Sequence, residues 1–282
     1  MEKRLIVITG CDSGIGESCA RLFAADGFTV LISYLEKNRF EAEPAVIAQK
    51  MDIRNEDELS AFGKRIAGLR NEGYHLDCLL HNAGIAFGGP AENLPLQRYR
   101  DVMEVNFFGI VSLTQQVLPI LITCRSKLFI VGSLAGKIAA PFLSPYAASK
   151  FALEGYTDSL RRELNPFGIK TVLFEPSGVI TPIWKKYEQI DMSAFNPGYK
   201  TSLDAFKKNF VDKAAYSLPC ERAAQFIMRI FTRRNPRPRY LIAKDRFVSR
   251  LLLHLPDRII DRLVRSVYKM NYGNRINSDT NG

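Results

Sequence analysis

The sequence has no run of about 18 consecutive apolar residues, which is the length that a membrane-spanning helix requires, so no segment is expected to approach such a span. Its cysteines form no CxxC pair, and no cysteines and histidines have the spacing of metal ligands. These absences predict a cytoplasmic protein with reduced thiols, no disulfide framework and no metal site. The five cysteines are Cys11, Cys19, Cys78, Cys124 and Cys220.

An excess of basic residues is also missing from most of the chain. The formal net charge is +10, but residues 221–282 hold 14 of the 39 lysines and arginines against 5 acidic residues. The first 220 residues therefore carry 25 basic and 24 acidic side chains. Because a nucleic-acid-binding fold needs a basic surface on its body, this distribution predicts no nucleic-acid partner.

Apolar runs of strand length alternate with segments of helical period along the chain. Strands are predicted near residues 4–9, 28–33, 45–52, 76–84, 126–133, 169–178 and 239–243. Helices are predicted near 16–27, 55–70, 96–121, 144–164 and 221–232. Because parallel strands need crossover connections, the pattern predicts an α/β fold with a doubly wound parallel sheet and helices on both faces. We expect one domain over 1–243, with a substrate-covering segment at 183–218 and a basic helical extension at 244–282.

A glycine-rich stretch, TGCDSGIG at residues 9–16, directly follows the first apolar run. Gly10, Gly14 and Gly16 would let the backbone approach a ligand at the start of the first helix, whose free N–H groups favour anions. The spacing G-x-x-x-G-x-G differs from the G-x-G-x-x-G fingerprint. A glycine-rich turn of this kind also serves as an ordinary tight turn, but its position between strand and helix favours a dinucleotide pyrophosphate.

The stretch YAASK holds Tyr146 and Lys150 at i and i+4, on one face of a predicted helix. A lysine beside a tyrosine favours the phenolate and so predicts a lowered pKa for the phenol. Ser133 ends the strand KLFIVGS, and strand ends are where open α/β sheets bind ligands. Asn106 lies in the middle of a predicted helix, where asparagine is disfavoured unless its side chain has another use.

Together these motifs resemble the short-chain dehydrogenase/reductase family over about residues 4–243. The C-D-S-G turn is similar to that of the retinol, hydroxysteroid and 3-hydroxybutyrate dehydrogenase branches. The resemblance implies a single Rossmann domain that interconverts an alcohol and its carbonyl with a nicotinamide dinucleotide. It implies that Tyr146 exchanges the proton, Ser133 orients the substrate oxygen, and Lys150 lowers the pKa of Tyr146 and holds the ribose. It further implies that Asn106 holds a water that relays the proton.

The resemblance also implies the residues that hold the cofactor. Asp52, in MDI, would contact the adenine amino group, and Thr181, in EPSGVITP, would bind the nicotinamide carboxamide. His81 replaces the first asparagine of the family's N-N-A-G, which predicts the loss of a hydrogen bond that supports the loop. The cofactor-binding residues are expected to be Gly10, Asp12, Ser13, Gly14, Ile15, Gly16, Tyr34, Asp52, Ile53, Asn82, Ala83, Gly84, Tyr146, Lys150, Pro176, Gly178, Val179 and Thr181.

The acid in the glycine stretch bears on the choice between NAD and NADP. A 2′-phosphate needs arginine or lysine partners, whereas a 2′-hydroxyl is satisfied by a carboxylate. Asp12 would repel the phosphate, so NAD is expected and NADP is the less favoured cofactor. In the alternative, Asp12 only caps the following helix, and Lys37 or Arg39 reads a phosphate.

The substrate side is predicted in the least patterned segments, 134–145 and 182–219. Their apolar side chains favour a hydrophobic alcohol or ketone of retinoid, steroid or lipid type, although the same side chains could simply pack a lid. Lys137, Lys185 and Lys186 leave a small hydroxy acid open as a substrate. A dinucleotide sensor without chemistry is the alternative from another class. The apolar residues are Ile183, Trp184, Tyr187, Met192, Phe195 and Phe206.

The basic extension shows apolar residues at helical spacing, and Pro256 divides it into two predicted helices. Its arginines, at 246, 250, 258, 262 and 265, fill the other face. Such a helix pair either makes a peripheral contact with an anionic membrane or packs on the body or a partner subunit. The family resemblance implies a homodimer or homotetramer.

Overall fold

The computed structural model describes residues 3–184, 195–211 and 217–270. Seven strands form one parallel sheet in the order β3-β2-β1-β4-β5-β6-β7. The strands are β1 (Lys3–Ile8), β2 (Thr29–Tyr34), β3 (Val46–Lys50), β4 (Tyr74–His81), β5 (Lys127–Val131), β6 (Lys170–Ser177) and β7 (Arg239–Ala243). The strand order reverses after β1, which creates a crevice at the carboxyl ends of β1 and β4.

Nine α-helices connect or extend these strands in the described residues. They are α1 (Gly14–Ala25), α2 (Glu56–Asn71), α3 (Leu96–Met103), α4 (Gly109–Cys124), α5 (Ser144–Leu164), α6 (Lys200–Phe206), α7 (Cys220–Phe231), α8 (Arg246–Leu252) and α9 (Asp257–Val267). A wider π turn, Glu104–Phe108, joins α3 to α4. Pro256 precedes α9, so the two helices predicted for the extension are present.

The central strands are apolar throughout because both of their faces are covered. Val7 of β1 lies beside Leu31 of β2 and Leu79 of β4, and all three side chains are buried. Their neighbours along β1, Ile6 and Ile8, are equally buried on the opposite face. This continuous burial is what a parallel sheet between two helical layers requires.

Two separate apolar cores cover the two faces of the sheet. On one face α1 and α7 pack together, and the rings of Phe23, Phe28 and Phe231 meet edge to face with centroids 5.2–5.7 Å apart. On the other face α2, α4 and α5 cover the sheet, with Phe62 and Leu113 fully buried. The predicted fold class, a doubly wound sheet with helices on both faces, is therefore confirmed.

The helical stretch Leu96–Cys124, which includes the π turn, is long and apolar enough to cross a membrane by length and composition. The expectation that no segment approaches such a span is therefore wrong for this stretch. Its inward face is buried, with Ile110, Val117 and Leu121 in the core shared with α2. A core helix of this kind meets the same length and hydropathy criteria as a span, so the stretch is weak evidence for a membrane.

Candidate active site

The glycine turn after β1 lies directly against the end of β4. A Cβ atom at Gly10 would lie 2.6 Å from Ala83 Cα, and Gly10 has a φ of +70°, in the region that glycine tolerates best. The hydroxyl of Thr9 accepts hydrogen bonds from the backbone N–H groups of Asn82, at 3.1 Å, and Ala83, at 3.2 Å. The Asn82 amide donates in return to the Gly10 carbonyl at 2.8 Å. The predicted NAG residues and the glycine turn therefore form one hydrogen-bonded unit.

The start of α1 fits the anionic part of a dinucleotide. Ser13 stands at the N-cap but its side chain makes no capping hydrogen bond. The N–H groups of the first turn, at Gly14, Ile15 and Gly16, therefore have no side-chain acceptor at the cap and favour an anion. A Cβ at Gly14 would lie 3.3 Å from Thr181 Cγ2, so the turn and the segment after β6 approach each other. Glycines keep this approach open for a pyrophosphate.

The Asp12 carboxylate lies on the loop after β2, beside the expected ribose, and not on the cap of α1. It accepts the backbone N–H groups of Leu35, Glu36 and Lys37 at 2.7–3.1 Å, just beyond β2. The expectation that it caps α1 is wrong, because Ser13 holds the cap position and the carboxylate turns toward the loop after β2. Arg39 also reaches this turn, donating from Nε to the Asp12 backbone oxygen at 2.7 Å. Asp12 therefore shapes the loop beside the expected ribose position.

The residues expected around the adenine lie at the ends of β2 and β3. Asp52 forms an ion pair with Arg54 at 2.6 Å, and this hydrogen-bonded guanidinium lowers the pKa of the carboxyl. Both Asp52 oxygens thus accept hydrogen bonds from Arg54, a partner that the sequence pattern did not indicate. Ile53 is buried against Gly109 at the start of α4, and the Tyr34 carbonyl accepts the Met51 N–H at 2.8 Å.

The end of β6 carries the other part of the expected cofactor site. Pro176 pairs with β7, and Gly178 turns the chain with a φ of +65°. Val179 is buried and pairs with Leu218, which ties this loop to the segment before α7. The turn brings Thr181 next to Gly14, and the carboxamide contact of Thr181 stays a prediction.

Tyr146 and Ser133 meet at the carboxyl edge of the sheet. Helix α5 has the predicted bounds, and its first turn carries Tyr146, which is 6% exposed. The phenol and the Ser133 hydroxyl share a hydrogen bond. Ser133 Oγ also accepts the Ala135 N–H at 3.1 Å, which fixes the rotamer of the serine. Two hydroxyls held in this way can bind one oxygen of a ligand.

Lys150 lies close to Tyr146 and hydrogen-bonds to the backbone at the end of β5. Its Nζ donates to the Val131 carbonyl at 3.0 Å and lies 5.7 Å from the centre of the Tyr146 ring. Burial raises the pKa of Tyr146, and only the hydrogen bond from Ser133 opposes that shift. Desolvation therefore dominates the pKa of Tyr146 in this structure, and the expected effect of Lys150 on the phenol stays a prediction. Burial also lowers the pKa of Lys150 to about 8.

Asn106 occupies the π turn and is fully buried. Its Oδ1 accepts the Ile85 N–H at 2.8 Å, while its amide donates to the Ile85 carbonyl and to Ser149 Oγ, both at 2.9 Å. Ser149 then donates to the Tyr146 carbonyl at 2.7 Å. Both N–H groups of the amide are thus used within the protein, so its donors do not hold the expected water. Asn106 instead links the loop after β4 to the catalytic helix.

His81 makes a hydrogen bond to α4, and not to the loop that the family's asparagine supports. Its Nε2 lies 2.9 Å from Thr114 Oγ1 on α4. Thr114 donates to the Ile110 carbonyl, so Nε2 carries the proton and the histidine is the donor. Burial lowers the pKa of His81 to about 3, and the ring is neutral. The bond supports β4 rather than the glycine turn.

A buried ionic cluster lies between α5 and the end of β6, and no sequence pattern indicated it. Glu154 follows Lys150 by one turn and accepts from Lys137 at 2.7 Å and from Arg239 at 2.9 Å. Glu175 of β6 faces Glu154. The pKa of Glu175 is raised to about 7, mainly by burial and to a smaller extent by the nearby carboxyl of Glu154. Since Lys137 belongs to the loop after Ser133, the cluster braces that loop. From the sequence, the helical spacing of α5 predicts only that Glu154 lies on the same face as Tyr146 and Lys150. It does not predict the partners of Glu154.

A third apolar cluster contains Tyr146 and lies where the substrate wall is expected, and is called the wall below. Phe206 of α6 is fully buried, with its ring centroid 5.9 Å from Phe142 and 5.8 Å from Tyr268. The wall therefore combines the loop before α5, the covering segment and the end of the extension. Ile183 and Phe195 are half-buried against it. Lys185, Lys186, Tyr187 and Met192 lie outside the described residues, and so does the side chain of Trp184.

The fold and the site together define a class of protein, the dinucleotide-dependent oxidoreductases. The sheet is doubly wound, and a glycine turn precedes α1. A tyrosine and a lysine share one helix face beside a serine. Sequence comparison gives the particular family. The sequence model of the short chain dehydrogenase family matches residues 4–191. The chain belongs to that family and is an NAD(P)-dependent oxidoreductase acting on a CH–OH group.

Individual relatives agree with this assignment. The oxidoreductase YusZ of Bacillus subtilis is 33% identical over 74% of this chain and 79% of its own length. The NADPH-dependent 3-dehydrocapnine reductase of Ornithobacterium rhinotracheale is 30% identical over 92% of this chain and 95% of its own. A short chain dehydrogenase/reductase from Burkholderia phymatum, solved in complex with NAD, has the same fold, with a TM-score of 0.75 at 21% identity over 93% of this chain and 96% of its own.

Proposed function

We propose that this enzyme interconverts a hydrophobic alcohol and its carbonyl, of retinoid, steroid or lipid type, in the cytoplasm, with NAD favoured over NADP. The hydrogen-bonded pair of Tyr146 and Ser133 beside an apolar wall carries the proposal. The two hydroxyls suit a single substrate oxygen, while the wall suits an apolar substrate body.

The roles of the residues follow from their positions. Tyr146 takes the hydroxyl proton in oxidation and returns it in reduction, and Ser133 orients the same oxygen. Lys150 and Thr181 hold the nicotinamide end of the cofactor, and Asn106 positions the Tyr146 helix through Ser149. The bound nicotinamide supplies the hydride acceptor or donor.

The test of catalysis is Tyr146→Phe, with Tyr156→Phe as a matched control on the same helix. The Tyr156 hydroxyl is also hydrogen-bonded within the core, but to Thr114 and not to Ser133. With a panel of lipophilic alcohols, we expect Tyr146→Phe to lower turnover by about a thousandfold, in line with loss of a general base. Dinucleotide binding should persist. Full turnover in Tyr146→Phe, or dinucleotide binding without turnover of any alcohol or carbonyl by the wild type, would favour the non-catalytic sensor.

The preference for NAD rests on Asp12 and the loop after β2. Its carboxylate sits on the N–H groups of Leu35 and Glu36, where a 2′-phosphate would add about two like charges. Arg39 is tethered to the Asp12 backbone and lies 3.7 Å from Glu17, which partly balances its charge. The NADPH dependence in the name of the Ornithobacterium relative makes this preference worth testing first.

A titration with NADH and NADPH, followed by nicotinamide fluorescence, tests the preference. We expect tighter NADH binding to the wild type and a smaller preference in Asp12→Ser. Asp26→Ser removes the same charge from the exposed end of α1 and should leave the preference unchanged. Tighter NADPH binding to the wild type would contradict the proposal.

A small hydroxy acid is the weaker substrate candidate. It would need a cation facing the substrate, but Lys137 is paired with the buried carboxylate of Glu154 at 2.7 Å. A matched pair of substrates, a long-chain alcohol and a short hydroxy acid, separates the two candidates. We expect a higher kcat/KM for the long-chain alcohol.

The proposed assembly is a homodimer or homotetramer through the outer faces of α4 and α5. Phe108, at the start of this face, is 50% exposed, and Phe151 of α5 is 46% exposed. A peripheral membrane contact through the extension belongs to the same proposal, because lipid-like substrates accumulate at membranes. Sedimentation of Phe151→Glu against the wild type tests the assembly, and an unchanged mass would contradict it.

A further inference from the structure

Helices α8 and α9 each expose both apolar and cationic side chains. The arginine–apolar face comprises Phe247, Val248, Leu251, Ile259, Leu263 and Val267 with Arg250, Arg258 and Arg262. These six apolar residues are half of the twelve large apolar side chains exposed in the described part of the chain. All six lie within 21 residues of sequence, and such a concentration of exposed apolar side chains is typical of an interaction site.

Helix α9 differs from the other long helices in its burial. None of its 11 residues is buried, whereas every other helix of eight or more residues in the described ranges buries at least one. Ile259, Leu263 and Val267 follow one another at i, i+4 and i+8 and are 41–48% exposed. An amphipathic helix gains stability by covering its apolar stripe, so this stripe calls for a partner.

The orientation of this face is set by contacts on its inner side. The Tyr268 ring packs on Phe206, and the Val267 carbonyl accepts from Asn209 Nδ2 at 3.1 Å. In α8 the Arg246 guanidinium lies 5.0 Å from the centre of the Phe226 ring, and Ser249 is buried. Both helices are therefore held on the body from one side, which leaves the arginine–apolar face directed outward.

The charge of the segment selects the partner. Residues 244–270 carry seven basic and three acidic side chains. Arg250, Arg258 and Arg262 have no ion-pair partner among the residues that the structure describes. A second copy of this face would place arginines against arginines, whereas an anionic lipid surface accepts the cations at its headgroups and the apolar stripe at its acyl boundary. We propose that the arginine–apolar face docks on an anionic lipid bilayer.

The docked face is connected to the substrate wall. Tyr268 directly follows α9 and packs on Phe206, and Phe206 packs on Phe142 in the cluster that contains Tyr146. A bilayer bound to α9 is therefore connected to the expected substrate site through two ring contacts, Tyr268 with Phe206 and Phe206 with Phe142. The coupling of docking to catalysis rests on the proposed hydrophobic substrate, but the docking itself does not.

Vesicle co-sedimentation, without substrate or cofactor, tests the docking. The probes are vesicles of phosphatidylcholine alone and of phosphatidylcholine with an equal part of phosphatidylglycerol, at low and at high salt. We expect the wild type to bind only the anionic vesicles, and Arg258→Glu/Arg262→Glu and Phe247→Ser/Leu263→Ser each to weaken binding about tenfold or more. Lys64→Glu/Arg70→Glu makes the same charge change on α2 and should bind as the wild type does.

Three results would overturn the proposal. One is no binding of the wild type to anionic vesicles at low salt. Another is an equal loss in the α2 control, which would mean that only net charge matters. The third is a vesicle-free dimer that dissociates in Phe247→Ser/Leu263→Ser, which would assign the face to a second copy. Because binding is measured without turnover, failure of the proposed chemistry leaves this result unaffected.

Discussion

The cofactor half and the substrate half of the site are built by different interactions. In the cofactor half the backbone is held by short polar contacts, such as the Thr9 hydroxyl on the N–H groups of Asn82 and Ala83. In the substrate half the wall is held by ring contacts among Phe142, Phe206 and Tyr268. Backbone hydrogen bonds tolerate little change, whereas apolar packing accepts many shapes of similar volume.

This difference matches what each half must recognise. A dinucleotide presents the same pyrophosphate to every enzyme that binds it, so a glycine turn fixed against β4 is suited to it. A substrate varies, and the wall proposed to meet it comes from three distant parts of the chain. We therefore expect substitutions in one half to leave the ligand of the other half bound.

Among the variants that compare the two halves, the largest expected effect is on stability, from Phe206→Ala in the substrate half. Phe206 is fully buried against Phe142 and Tyr268, so its removal should lower the free energy of unfolding by about 3 kcal/mol. The Kd for NADH should stay within twofold. Denaturant unfolding and fluorescence titration measure the two quantities, with the half-exposed Phe167→Ala as control. A raised Kd for NADH with unchanged stability would show that the two halves are not independent.

Gly10→Ala tests the cofactor half. The new Cβ would lie 2.6 Å from Ala83 Cα at a φ of +70°, so the turn must move away from β4. We expect the Kd for NADH to rise about a hundredfold, which corresponds to about 2.7 kcal/mol. Gly27→Ala is the matched control, because Gly27 has a φ of +87° but no atom within 4 Å of the new Cβ. Equal losses in both variants would show that backbone strain, and not the contact with β4, sets the affinity.

Glu175→Gln probes the ionic cluster that braces the Ser133 loop. Because burial and Glu154 raise the pKa of Glu175 to about 7, the folded state holds a proton that the unfolded chain releases at lower pH. The stability of the wild type should therefore fall by about 1–2 kcal/mol as pH rises from the ordinary glutamate range to about 7. Glu175→Gln should flatten this dependence in denaturant unfolding, while Glu41→Gln, at an exposed site, should not. A parallel slope in Glu175→Gln and the wild type would contradict the assignment.

Arg39→Ala should have the smallest effect. Its side chain is 43% exposed and reaches the Asp12 backbone, so it can add only a weak contact to a 2′-phosphate. We expect the Kd for NADPH to rise about threefold, or less than 1 kcal/mol, and that for NADH to stay constant. A tenfold or larger loss for NADPH would make Arg39 a true phosphate site and weaken the proposed preference for NAD. Arg100→Ala, on exposed α3, is the control.

The local parts of the site could be predicted from the sequence because each depends on a short pattern. The bounds of α5 and its face with Tyr146 and Lys150 follow from helical period. Ser133 could be assigned to a strand end because a continuous apolar run precedes it. The glycine turn at Gly10 follows from its place between a strand and an amphipathic helix. Neighbouring residues decide all these features.

The partners of the charged and polar groups depended on tertiary structure. Asp12 meets the N–H groups of a loop more than 20 residues away, and Lys150 meets the Val131 carbonyl from another element. The pKa of Tyr146 is raised because packing from distant segments removes water, which no i, i+4 spacing reveals. Likewise Tyr268 reaches Phe206 only after the extension folds back. The sequence by itself determined which groups are present and on which element, whereas burial and long-range contacts decided their charges and partners.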